Sequence, residues 1–95
     1  MTVQRGRLKL FITGDAPRSR RARANLAQAL ETVGSDLGDV DEIDILTAPK
    51  QALDHGIFAS PALVAAAPDG TTDVLYGDLS DMDRLVRFLG FSKAE

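Results

Sequence analysis

The chain of 95 residues has no cysteine and no tryptophan, and only one histidine and one tyrosine. Without cysteine there is no disulfide, no thiolate metal ligand and no dithiol exchange, because the thiolate is the reactive species in that chemistry. No apolar run is long enough to span a membrane, and the start, Met1 to Arg7, lacks the apolar stretch of a secretory signal. Cytoplasmic residence is therefore expected. Aromatics are few and the formal net charge is −3, which argues against a nucleic-acid binder. There are no internal repeats and no low-complexity tracts.

What is present suits one small folded domain, 44% hydrophobic and 26% charged. Residues 8–90 are expected to form it, with 1–7 and 91–95 as tails. Charge is unevenly placed along the chain. Arg5, Arg7, Lys9, Arg18, Arg20, Arg21 and Arg23 crowd the first quarter, and Glu31, Asp36, Asp39, Asp41, Glu42 and Asp44 follow. Two faces of opposite sign would orient docking. Two solvated surfaces would give the same pattern.

Leu8, Leu10 and Ile12 alternate, with Phe11 on the other side, as in a strand covered on both faces. Gly14-Asp15-Ala16-Pro17 is a turn into a helix, with Pro17 in its first turn and Asp15 or Ser19 as its cap. Ala22, Leu26, Ala29, Leu30 and Val33 make one apolar stripe, and Gly34 stops the helix. Val40 to Leu46 interleaves apolar and acidic residues, a strand with a charged face near a sheet edge. Thr47 is expected to cap a short helix from Pro49 to about His55-Gly56. Ala62 to Ala67 is apolar like a buried strand but rich in alanine like a helix, and the pattern does not choose. Pro68-Asp69-Gly70 is a tight-turn signal and Thr72 to Tyr76 reads as a strand, which predicts a hairpin. Ser80 is expected to cap a last helix that turns Met82, Leu85, Val86 and Leu89 inward and ends at Gly90. The order is β-α-β-α-β-β-α, opening with a right-handed βαβ unit.

The strand entering Gly14-Asp15-Ala16-Pro17, with Ser60-Pro61 ahead of a later apolar run, resembles the thioredoxin-like layout. In that layout the first turn carries C-x-x-C and faces a cis-proline. Here the turn has no cysteine, so the resemblance implies a scaffold kept for binding, with Pro61 as the cis-proline. A trans proline opening a strand is the plainer alternative.

Further residues are similar to the circadian-clock family KaiB: Leu8-Lys9-Leu10-Phe11, then Gly14, Pro17, Ser19, Ala22 and Leu26; Ile43-Asp44-Ile45-Leu46 with Pro49; Pro61 with Leu63; and Gly77-Asp78-Leu79-Ser80, the family's G-D-L-S signature. The resemblance runs from about Leu8 to Leu89. It implies an α/β fold that is thioredoxin-like βαβαββα, the fold-switched KaiB state. The alternative is the KaiB ground state, βαββααβ, a tetramer. Two such packings of one sequence must lie within a few kcal/mol of each other. The rebuilt segment maps onto about Phe58 to the C-terminus. The resemblance also implies a regulatory adaptor and not an enzyme, with no cofactor. Its partner would be a KaiC-like hexameric ATPase, and a sensor histidine kinase is the alternative. The case for a KaiA-like partner is weaker, because many bacteria with KaiB-like proteins lack a full clock.

Two departures from the family pattern bear on this. Family proteins carry a proline run with basic residues where this chain has Ala65 to Asp73. Pro68-Asp69-Gly70 favours a hairpin that exists only in the thioredoxin-like state, so a monomer in that state is favoured over a tetramer or dimer. Family basic residues that face KaiC are replaced by Asp41 and Ala65 or lost, while Arg20 matches a basic position. Candidate partner-binding residues are Arg18, Arg20, Arg21, Arg23 and Asp41; a solvated helix face would also account for the arginines. Candidate fold-switch residues are Gly77, Asp78, Leu79 and Ser80 with Pro68, Asp69 and Gly70. The plainer reading of Gly77-Asp78 is a glycine with positive φ beside a capping carboxylate. No metal site is expected of Asp39, Asp41, Glu42 and Asp44, since alternate strand positions face opposite ways and no histidine is near. His55 is expected at a helix C-terminus, where the dipole suits it.

Overall fold

The computed structural model describes residues 7–32, 34, 40–66 and 71–91. Seven elements follow one another: β1 (Arg7–Ile12), α1 (Pro17–Thr32), β2 (Val40–Asp44), α2 (Pro49–Asp54), β3 (Ala62–Ala66), β4 (Thr72–Tyr76) and α3 (Met82–Phe91). This is the expected βαβαββα order. The strands make one sheet in the order β2-β1-β3-β4. β2 lies parallel to β1, with α1 as the crossover that a parallel pair requires. β3 runs antiparallel to both β1 and β4.

Strand parity divides the core in two. Leu8, Leu10 and Ile12 face α1 and α3, where they pack with Leu26, Leu30, Leu85 and Leu89. Phe11 faces the other way, toward Ile43, Ala52, Ile57 and Val64 beneath the short helix α2. The α1 stripe packs as its spacing predicts: Ala22, Leu26, Ala29 and Leu30 are fully buried, while Val33 lies outside the described residues. Truncating a leucine such as Leu26 in this layer would cost about 2–5 kcal/mol.

The alanine-rich run resolves as strand β3. It sits between β1 and β4, so its main chain finds ladder partners on both sides. Ala62, Leu63, Val64 and Ala65 are buried between the two layers. Alanine's preference for helix is worth less than about 1 kcal/mol per residue, and the ladder and two-sided burial outweigh it. The β3–β4 pairing is antiparallel, as a hairpin requires; Pro68, Asp69 and Gly70 themselves lie outside the described residues.

Several local expectations are corrected. Ser19 does not cap α1. Its buried hydroxyl accepts the Thr13 N–H, 2.9 Å away, and ties the first turn of the helix to the end of β1. Thr47 does not cap α2 either. The N-cap position is Ala48, with no side-chain bond, and the Thr47 hydroxyl donates instead to the Asp44 carbonyl. β2 ends at Asp44, before Leu46, because Asp44 turns the chain: its carboxylate accepts the Leu46 N–H and its carbonyl the N–H groups of Thr47 and Ala48. At α3 the cap is Asp81 and not Ser80, since the Arg84 N–H bonds Asp81 Oδ1 at 3.1 Å. α3 also continues through Gly90 to Phe91.

Candidate docking surface around the β4–α3 turn

The turn between β1 and α1, where a thioredoxin-like fold carries its reactive cysteines, is closed by hydrogen bonds here. Gly14 donates its N–H to Asp44 Oδ1 at 3.0 Å. Its φ of +49° suits glycine, and a Cβ there would stand 3.3 Å from Leu46. The Thr13 and Ser60 hydroxyls bond each other across the sheet end, beside the cis Ser60–Pro61 peptide bond. The turn holds no thiol, and its Thr13, Gly14 and Ser60 groups are bonded to one another and to Asp44.

The β4–α3 turn is the more elaborate structure. Gly77 takes φ +108° and donates its N–H to the Pro61 carbonyl, joining this turn to the cis-proline. Asp78 then organises its neighbours. One carboxylate oxygen accepts the Ser80 N–H and the other meets Arg21 of α1 at 3.1 Å. Its carbonyl accepts the Asn25 side-chain amide. The Ser80 side chain and then Arg21 hold the Asp78 carboxyl below its ordinary pKa, helped by the Ser80 main-chain N–H. Leu79 follows at φ +62°, unusual for a residue with a Cβ, and its side chain is buried in the α1/α3 layer. The four signature residues thus link α1, β4 and α3 at one point. A hollow of about 130 Å³ opens beside them, lined in part by Arg18, Tyr76, Ser80 and Arg84.

The arginines of α1 divide among several neighbours. Arg18 lines the hollow, and Arg21 pairs with Asp78. Arg23 reaches β2, where Glu42 holds it with two hydrogen bonds of 2.6 and 3.2 Å and raises its pKa above the ordinary guanidinium value. Arg20 is exposed and has no ion-pair partner among the described residues. Asp41 lies on the edge strand β2, exposed. His55 stands at the α2 C-terminus, its Nδ1 beside the Gln51 carbonyl, its Nε2 3.3 Å from Lys9 and its ring against Phe11. Among the described residues no group of His, Asp and Glu stands in a metal-binding arrangement. No helix there is long and apolar enough to cross a membrane.

Sequence reasoning missed several exposed apolar side chains. Phe58 is 84% exposed and Leu53 66%, flanking the end of α2, and Tyr76 stands half-exposed on β4. Leu53 lies on the outer side of a helix too short for a stripe to be legible. Phe58 falls in the connection to β3, where no periodicity applies. The role of Asp44 was also unmarked, since nothing local points its carboxylate at Gly14.

The KaiB domain family model matches residues 9–91. The circadian clock oscillator protein KaiB of Prochlorococcus marinus (strain MIT 9211) is 35% identical over 79 residues, covering 83% of this chain and 68% of that protein. The circadian clock protein KaiB3 of Synechocystis sp. is 33% identical over 89 residues, covering 90% of this chain and 83% of its own length. Among solved structures, the N-terminal domain of Synechococcus elongatus SasA superposes with a TM-score of 0.64 at 25% identity, over 94% of this chain and 83% of that one. Mitochondrial thioredoxin 3 of Saccharomyces cerevisiae reaches 0.71 at 13% identity, over 94% of this chain and 82% of its own, a likeness of fold alone. This chain, with its cysteine-free thioredoxin-like sheet joined to its helices at Gly77-Asp78-Leu79-Ser80, belongs to the KaiB family.

Proposed function

We propose that this protein is a non-enzymatic regulatory adaptor that docks on a KaiC-family ATPase and modulates its phosphorylation or ATPase cycle. The observation that carries this reading is the βαβαββα order itself. It is the arrangement that the family resemblance associates with KaiC binding, and here it holds a core packed on both sides of the sheet. Docking then depends on surface complementarity, with Arg20 of α1 exposed and without an ion-pair partner among the described residues, and Asp41 at the β2 edge. The protein would act in the cytoplasm.

Arg20→Glu tests this. A reversed charge in an interface costs affinity mainly through lost attraction and new repulsion. The complex with a purified KaiC homologue should weaken about tenfold, roughly 1.4 kcal/mol, while far-UV circular dichroism stays unchanged. Equal affinity of the variant would refute the docking face. The likeness to the SasA N-terminal domain favours a second reading, an interaction module for a sensor histidine kinase. Co-purification with a histidine kinase, and not with a KaiC homologue, would select it.

A further inference from the structure

β4 is an edge strand, and its open side is matched to an inverted copy of itself. The Gly77 N–H bonds the Pro61 carbonyl, and the register pairs Leu63 with Leu75 and Ala65 with Asp73. Bonded and non-bonded pairs alternate in an antiparallel ladder. Asp73 and Leu75 therefore bond to β3, while Thr72, Val74 and Tyr76 turn their N–H and C=O groups outward. In keeping with this, the Val74 N–H is held by the Asp73 carboxylate at 3.0 Å instead of by β3.

Between this edge and α3 runs a groove lined by Asp73, Val74, Leu75, Arg84, Arg87 and Phe88. Arg84 also lines the hollow at Tyr76 and Gly77, so it stands at the Leu75–Tyr76 end of the strand. Neither Arg84 nor Arg87 has an ion-pair partner among the described residues.

We propose that β4 is a self-association edge, pairing antiparallel with β4 of a second copy about a two-fold axis at Val74. In that register the outward groups of Thr72, Val74 and Tyr76 meet those of Tyr76, Val74 and Thr72 of the other copy. The cross-strand pairs are Val74 with Val74 and Thr72 with Tyr76, a favourable aromatic and β-branched combination. Asp73 of each copy falls level with Leu75 of the other, where Arg84 stands. Its carboxylate exchanges the Val74 N–H, which passes to a carbonyl across the seam, for that guanidinium. The sheet becomes one of eight strands. The other edge does not suit self-pairing, because β2 would set Asp41 and Glu42 against a second acidic strand. Since the free edge already satisfies its central donor internally, the association is concentration-dependent and reversible.

The test uses the full chain across a range from about 10 µM to 1 mM, spanning the weak-association regime. Sedimentation equilibrium should show the mass rising from 10.2 kDa toward twice that value. Amide hydrogen exchange should slow with concentration at Thr72, Val74 and Tyr76, but not at Asp73 and Leu75, which β3 already protects. Val74→Pro deletes an outward N–H that β3 does not use, and should hold the chain at monomer mass. Asp73→Arg or Arg84→Asp alone should each weaken association about tenfold, and the double exchange should restore it. A constant 10.2 kDa mass at every concentration overturns the proposal. So does a dimer whose Thr72, Val74 and Tyr76 amides exchange at concentration-independent rates. The exchange measurement needs no variant to fold.

Discussion

At Asp78 one short side chain serves two elements, accepting the Ser80 N–H within its own turn and meeting Arg21 on α1. The pair is largely exposed, so attraction between the charges alone contributes little. Its signature is pH. The folded carboxyl has a lowered pKa, so the unfolded chain binds more protons as pH falls through the ordinary carboxylate range near about 4. This contribution to stability is complete above that range and is lost as pH drops through the folded value. Asp78→Asn should therefore lower the melting temperature most at neutral pH and flatten the acid limb of its plot against pH, with little difference from the parent chain below the folded value. An acid limb of unchanged slope would mean that the carboxylate organises the turn by shape alone. Gly77 was legible as a positive-φ residue because a glycine between a strand and a helix signals just that. The same conformation at Leu79 was not, since only burial of its side chain in the α1/α3 layer holds a leucine there.

Among the elements, β3 carries the clearest consequence. Its Ala62 and Ala65 are fully or nearly buried, one under each layer, where small side chains let the covering helices approach the sheet. Ala65→Leu should drive three extra carbons into the α1/α3 layer and cost about 1–3 kcal/mol, read as a lower urea midpoint at an unchanged m-value. A neutral result would mean that α3 shifts freely on the sheet. The helices themselves were legible, since Leu26 and Leu30, and Leu85 and Leu89, recur at helical spacing and are fully buried. Their caps were less so. Ser19, Thr47 and Ser80 are all acceptable capping residues by type, yet Ser19 serves Thr13, Thr47 serves Asp44, and Asp81 caps in place of Ser80. A short polar side chain has several main-chain groups within reach, and the path of the next element decides among them.

For the whole molecule, the βαβαββα packing has Leu85 and Leu89 of α3 fully buried. Rebuilding the chain into βαββααβ would first take these leucines out of the core, at roughly 1.5–3 kcal/mol each. With Pro68-Asp69-Gly70 between β3 and β4, the chain is expected to remain in the thioredoxin-like state without a tetramer. Size-exclusion chromatography with light scattering should find no species above twice 10.2 kDa at any concentration. A peak at tetramer mass would mean that the alternative packing competes.

The sequence alone determined that no thiol chemistry operates here, because the atoms are missing. It also determined the turn from β1 into α1 and which faces of α1 and α3 are apolar, because those signals are carried by residues a few positions apart. Only the tertiary structure decided that Ala62–Ala66 is a strand, that Arg21 and Arg23 are committed to Asp78 and Glu42 while Arg20 is left to solvent, and that β4 ends the sheet with its donors outward. Local preferences amount to a fraction of a kcal/mol per residue. Ladder bonds, burial and ion pairs depend on partners distant in the chain, and they prevail wherever the two disagree.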